Sequence, residues 1–66
     1  MNNIQFLQLE GTEQVEFVNN LLLEGKTIKE ISRGCFNKSQ SWLGGILNKK
    51  GYFFKQGQYV YLSTEI

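Results

Sequence analysis

A chain of 66 residues, 41% hydrophobic, 14% aromatic and 20% charged, is one globular domain at most, and a domain of this size buries only about 60% of the surface its unfolded chain exposes. No apolar run approaches the roughly 20 residues of a membrane span, and the polar start Met1-Asn2-Asn3 lacks the basic and apolar segments of a signal peptide. With no histidine and a single cysteine, Cys35, the chain has no internal disulfide, no zinc set and no histidine-based triad.

The expectation from these absences is a cytoplasmic protein that needs no cofactor or metal and is not an enzyme. Net charge is only +1, but it is divided along the chain. Lys26, Lys29, Arg33, Lys38, Lys49, Lys50 and Lys55 all lie between positions 26 and 55 with Glu30 as the one acid among them, a block of +6. Glu10, Glu13, Glu16, Glu24 and Glu65 leave the flanks at −5. A domain polarised in this way attracts a phosphate backbone to its positive side; a solvated surface with chance clustering is the plain alternative.

In chain order, Ile4-Gln5-Phe6-Leu7-Gln8-Leu9 has the apolar look of a short strand, although its alternation slips between Phe6 and Leu7. Gly11-Thr12 interrupts it. Thr12 is a natural N-cap, and Glu13 and Glu16 occupy the first turn where the helix dipole favours negative charge. Val15, Val18 and Leu22, joined by Phe17, Leu21 and Leu23, form a wide apolar stripe at helical spacing. This predicts a first helix over about 13–24, stopped by Gly25 in the left-handed conformation.

Thr27 followed three residues later by Glu30 is a capping box, and Ile28 and Ile31 supply one apolar edge. The expected second helix is short, about 27–33, and ends at Gly34. A turn through Gly34-Cys35-Phe36-Asn37-Lys38 follows, in which Cys35 is read as a small buried residue. A third helix is expected over about 38–50, capped by Asn37 or Ser39. Trp42, Leu43, Ile46 and Leu47 cover one of its faces. The opposite face is Gln40, Ser41, Gly44, Gly45, Asn48 and Lys49. Two adjacent glycines inside a helix cost roughly 1 kcal/mol each relative to alanine, so this face is expected to admit a close neighbour, DNA in preference to a packed element of the same chain.

Gly51-Tyr52-Phe53-Phe54-Lys55 and Gln58-Tyr59-Val60-Tyr61-Leu62 are two β-rich runs joined by Gln56-Gly57, a tight hairpin with glycine second. Pairing across that loop sets Lys55 opposite Gln58, Phe54 opposite Tyr59, Phe53 opposite Val60 and Tyr52 opposite Tyr61. One face then carries Tyr52, Phe54, Tyr59 and Tyr61, and the other Phe53, Val60 and Lys55. Sequence alone leaves open which face is buried.

The order of elements is that of an α+β winged helix-turn-helix: three helices, a C-terminal hairpin wing at about 52–62 and a short N-terminal strand. Locally, Thr27-Ile28-Lys29-Glu30-Ile31, then Ser39-Gln40-Ser41 with Leu43 and Leu47, then Gly51-Tyr52 and Tyr59-Val60 resemble the DNA-binding domains of small regulators and plasmid or phage proteins of low-GC Gram-positive bacteria. The resemblance covers about positions 13–62 and departs from the usual pattern in a longer turn with Cys35-Phe36, in Trp42 and in Gly44-Gly45. It implies sequence-specific binding of double-stranded DNA, in transcription regulation or plasmid or phage maintenance. The third helix would lie in the major groove, with Lys38, Ser39, Gln40, Ser41 and Gly44 near its start and Asn48 and Lys49 further along.

Residue by residue the chemistry fits. Gln40 can bond the N6 and N7 edge of adenine, serines donate to bases or phosphates, and lysines reach phosphate or guanine. Thr27 and Lys29 offer a backbone amide and an ammonium group to a phosphate, and Lys55 at the wing tip would touch the DNA backbone or the minor groove. With about four or five phosphates neutralised per copy, one copy binds weakly and is salt-sensitive, which implies a homodimer or cooperative array on neighbouring half-sites. The competing expectation is a protein-interaction module on the same scaffold, motivated by the Gly44-Gly45 gap and the aromatic hairpin. The chain runs four residues beyond Leu62, which fits a complete small protein or the N-terminal domain of a longer one.

Overall fold

A computed structural model describes residues 2–62. Its elements are α1 (Asn3–Gln8), α2 (Gly11–Leu23), α3 (Ile28–Phe36), α4 (Gln40–Lys49), β1 (Tyr52–Lys55) and β2 (Gln58–Tyr61). The fold is α+β, with four helices followed by a two-stranded antiparallel hairpin. Glu65, counted in the acidic flank, lies outside the described residues.

The N-terminal segment is a helix and not the expected strand. Asn2 caps it: the Gln5 backbone N–H donates to Asn2 Oδ1 at 2.8 Å, and the Asn2 N–H donates to Gln5 Oε1 at 3.1 Å. This reciprocal pair satisfies two amides that a strand would have left without partners. The slip between Phe6 and Leu7 has a helical explanation, since one side chain per turn is buried and Phe6 is that residue, fully enclosed among Phe17, Phe36 and Trp42. Helix α2 also starts earlier than expected. Glu10 occupies the cap position, its N–H bonded to Glu13 Oε1 at 3.0 Å, and Thr12 falls inside the first turn.

The end of α2 is as expected. Gly25 is left-handed at φ 100°, the Gly25 N–H donates to the Leu22 carbonyl and the Lys26 N–H to the Leu21 carbonyl, the paired bonds of a Schellman stop. Gly34, by contrast, does not end α3. The helix continues through Cys35 to Phe36 and stops at Asn37, which takes the left-handed conformation at φ 55°. Asparagine tolerates that region better than other residues with a side chain. Running on for two residues also places Phe36 in the core, its ring 4.7 Å from Phe6 and 5.3 Å from Trp42, which outweighs the roughly 1 kcal/mol that an internal glycine costs. The turn before α4 is thereby shortened to Asn37-Lys38-Ser39, and half-buried Cys35 lies on a helix. The unusual turn length expected from sequence is absent.

The core is one cluster: Phe6, Val15, Val18, Ile28, Ile31, Phe36, Leu43, Leu47 and Tyr59. Every helix and the second strand contribute to it. The hairpin register is Tyr52↔Tyr61, Phe53↔Val60, Phe54↔Tyr59 and Lys55↔Gln58, as the loop predicted. Gln56 and Gly57 both have positive φ, 53° and 86°, the signature of a type I′ turn whose twist suits a two-residue hairpin. Burial does not divide the hairpin by face: Tyr59 packs into the core and Tyr52 is half-buried beside it, but Phe54 and Tyr61 on the same face are 51% and 62% exposed, and on the other face Phe53 is exposed and Val60 half-buried.

Two polar side chains hold these parts together. Buried Gln14 donates from Nε2 to the Phe6 carbonyl at 2.7 Å and accepts from Lys50 Nζ at 2.7 Å, tying α1, α2 and the end of α4. Asn19 on α2 meets the edge of β2 with both ends of its amide: Nδ2 donates to the Tyr59 carbonyl at 3.0 Å and Oδ1 accepts the Tyr59 N–H at 2.8 Å. It satisfies the strand edge as a further strand would. Gly51 at the start of the hairpin is at φ 92°, where a side chain is strained, and a Cβ there would lie 2.8 Å from Tyr61 Cε1, so that ring would have to shift.

Candidate nucleic-acid interface

The candidate residues are placed by the two caps on α3 and α4. At α3, Thr27 Oγ1 accepts the Glu30 N–H at 3.1 Å and Glu30 Oε1 accepts the Thr27 N–H at 2.8 Å. These bonds, with Lys26 nearby, hold the Glu30 carboxyl below the ordinary carboxylate range. One expectation changes as a result: the Thr27 amide is occupied by its own capping partner, so the phosphate donors at this end are the free amides of the following residues and the exposed Lys29. At α4, Ser39 Oγ accepts the Trp42 N–H at 3.3 Å. Ser39, not Asn37, is the cap, and its hydroxyl proton remains available to a ligand.

Around these caps the candidate residues gather into two neighbouring clefts. Thr27, Lys29 and Gln40 line one with Phe54 and Gly57, and Gln40, Ser41 and Gly44 line its continuation with Ile28 and Tyr59. Lys38 and Ser39 border the other with Arg33 and Asn37. Asn48 and Lys49 are exposed two turns further along α4, about 13 Å from Gln40 at the helical rise. Lys55 is exposed at the closing pair of the hairpin, beside the Gln56-Gly57 turn. The candidates thus form a band from the start of α3 through α4, with Lys55 on the adjoining hairpin.

Lys50 points elsewhere. Its ammonium bonds Gln14, and its side chain lies beside Gly11 and Glu10 at the start of α2. The positive block therefore contributes six outward cations and one structural lysine. Helix α2 carries Glu13 and Glu16 exposed on its surface, and Glu30, within the positive band, is closed onto Thr27.

The glycine pair divides. A Cβ at Gly44 would stand 3.6 Å from Tyr59 Oη, ordinary contact, so the hairpin approaches this side of α4. The expectation that Gly44 lies open for DNA is corrected to that extent: its immediate neighbour is Tyr59, whose phenol burial pushes above its ordinary pKa. Gly45 has nothing within 4 Å. No packing among the described residues requires glycine there, although it weakens an exposed helix. Asn19, which fixes Tyr59 and hence the cleft wall, was missed at the sequence level because its partner is 40 residues away.

No helix among the described residues is long and apolar enough to cross a membrane. Comparison with protein-family models, with curated proteins and with solved structures returns no match.

Proposed function

We infer that the chain is a winged helix-turn-helix protein that binds double-stranded DNA sequence-specifically, as a transcriptional regulator or a plasmid or phage maintenance protein. Helix α4 enters the major groove and the β1–β2 hairpin acts as the wing. The observation that carries this reading is the open strip Ser41, Gly45, Asn48 and Lys49 on α4, which follows a three-residue turn from the capped α3 and lies within a band of exposed cations. A helix side chain at Gly45 would be allowed by the fold, and its absence lets a partner's surface come close. Gln40 and Ser41 then reach base edges, while Lys29, Lys38, Lys49 and Lys55 contact phosphates. The small number of cations favours two copies on adjoining half-sites.

In vitro selection of bound duplexes followed by mobility-shift titration tests the reading. Lys49→Ala should weaken binding uniformly across sequences and lower the salt slope by about 1, whereas Gln40→Ala should cost about 1–3 kcal/mol and relax the preference at one position. Failure to enrich any duplex rejects it. A second reading, a protein-interaction module, is favoured by Ile4 and Leu7 on α1, 63% and 51% exposed and uncovered by any element among the described residues. Binding to a protein partner that is lost in Leu7→Glu, with no affinity for any duplex, would establish that reading instead.

A further inference from the structure

Between the first turn of α3, the start of α4 and the hairpin lies an open cleft of about 330 Å³ lined by Ile28, Gln40, Ser41, Gly44, Phe54 and Tyr59. Beyond Gln40 it opens into a depression bordered by Lys26 and Lys29, and among the described residues no carboxylate lines either part. Its walls are unlike the rest of the positive band. Ile28 and Tyr59 are core residues that also line this cleft. Phe54 lies edge-on to Tyr59 with ring centroids 5.5 Å apart, yet it is 51% exposed, so much of its ring has no partner among the described residues. Gly44 keeps the centre of the cleft free of a side chain. Gln40 brings a donor and an acceptor to this notch, beside the Ser41 side chain and Tyr59 Oη, which lies 3.6 Å from where a Gly44 Cβ would stand.

This combination has a counterpart on DNA. The major-groove edge of a duplex is polar except for the 5-methyl group of thymine, and glutamine is the side chain whose amide matches the N6 and N7 edge of adenine. We propose that the cleft is a specificity pocket that takes the 5-methyl group of a thymine, while Gln40 bonds the adenine of the same or the adjoining base pair. The flanking Lys26 and Lys29 complement the phosphates beside that step. Phe54 and Ile28 are therefore specificity-determining residues, and A·T pairs are required under the start of α4. The inference rests on the DNA-binding reading above and names what that site prefers.

The test uses the full chain and a duplex recovered by selection. Each thymine is replaced in turn by deoxyuridine, which removes the methyl group and leaves base pairing intact, and affinities are compared. One or two positions per half-site should lose about fourfold in affinity, the effect of withdrawing one methylene-sized group from an apolar contact. Phe54→Ala should bind the thymine and deoxyuridine duplexes alike, and Phe54→Leu should restore part of the difference. Because Phe54 is half-exposed, both variants should keep the wild-type helical signal, which circular dichroism checks. Strong binding that is indifferent to deoxyuridine at every position would overturn the pocket while leaving DNA binding in place. A thymine preference unchanged in Phe54→Ala would do the same, whereas recovery of no duplex at all rejects both the pocket and the DNA-binding reading.

Discussion

Helix α1 and the β1–β2 hairpin are both added to the α2–α4 unit, and different forces hold them there. Helix α1 is attached by one aromatic side chain: Phe6 is fully enclosed, 4.7 Å from Phe36 and about a ring's width from Phe17 and Trp42, with the Gln14 amide bonded to its carbonyl. The hairpin buries Tyr59 but is registered by direction, through the two hydrogen bonds of the Asn19 amide to the Tyr59 backbone. Packing of the first kind is strong and tolerant of small rotations; a two-point amide clamp contributes less energy and fixes orientation. The candidate interface is built on the second kind. Phe54 and Tyr59 face the start of α4 at a set angle because Asn19 holds the strand edge.

That difference can be broken at either end. The largest effect is expected from Phe6→Ala, which should cost about 3–5 kcal/mol. This is most of the stability of a domain this small, so a thermal melt should show a nearly complete loss of cooperative unfolding. A loss below about 1 kcal/mol would mean that α1 is not held by Phe6. Asn19→Ala should cost less, about 1–3 kcal/mol, because two backbone groups at a half-buried edge lose their partners. Its signature is local: amides of residues 52–61 should exchange faster while those of α3 and α4 keep their protection. Equal loosening of both regions would remove the distinction between packing and clamp.

Gly45→Ala sharpens the comparison from the other side. With open space around the site and helical backbone, alanine should stabilise the fold by about 1 kcal/mol, and under the DNA-binding reading it should weaken duplex binding at the same time. Stability gained with no change in affinity would show that nothing approaches α4 closely there. The smallest effect is a pH dependence at the exposed α3 cap. Thr27 holds the Glu30 carboxyl below its ordinary value of 4.5, so the folded state binds this proton less readily than the unfolded chain. The contribution is full above that value and is lost as pH falls below it and through the folded-state value. Glu30→Gln should remove that part of the acid loss, seen in urea titrations on either side of pH 4.5.

Much of this was legible in the residues. The Thr27/Glu30 box, the Gly25 stop and the Gln56-Gly57 turn are local devices whose partners lie within a few positions, and each is found where the sequence predicted it. The N-terminal helix was misread because six residues are too few for a periodicity to separate helix from strand. The Asn2/Gln5 pair was the available signal, of the same type as the one recognised at Thr27. Gly34 was misread for a different reason. Its local preference to end a helix is overruled by the burial of Phe36, and only the neighbours of Phe36 reveal that gain.

By itself, the sequence determined the order of the central helices and the hairpin, its register and the gathering of cations between positions 26 and 55, because these follow from short-range hydrogen bonding, side-chain period and composition. The tertiary structure alone decided that Tyr59 is the hairpin residue in the core, that Lys50 turns to Gln14, that Asn19 clamps β2, and that Gly44 meets Tyr59 while Gly45 stays open among the described residues. Those outcomes depend on contacts between residues as many as 40 positions apart. Such contacts are selected by the shape and polarity of the assembled core, which no local stretch of the chain encodes.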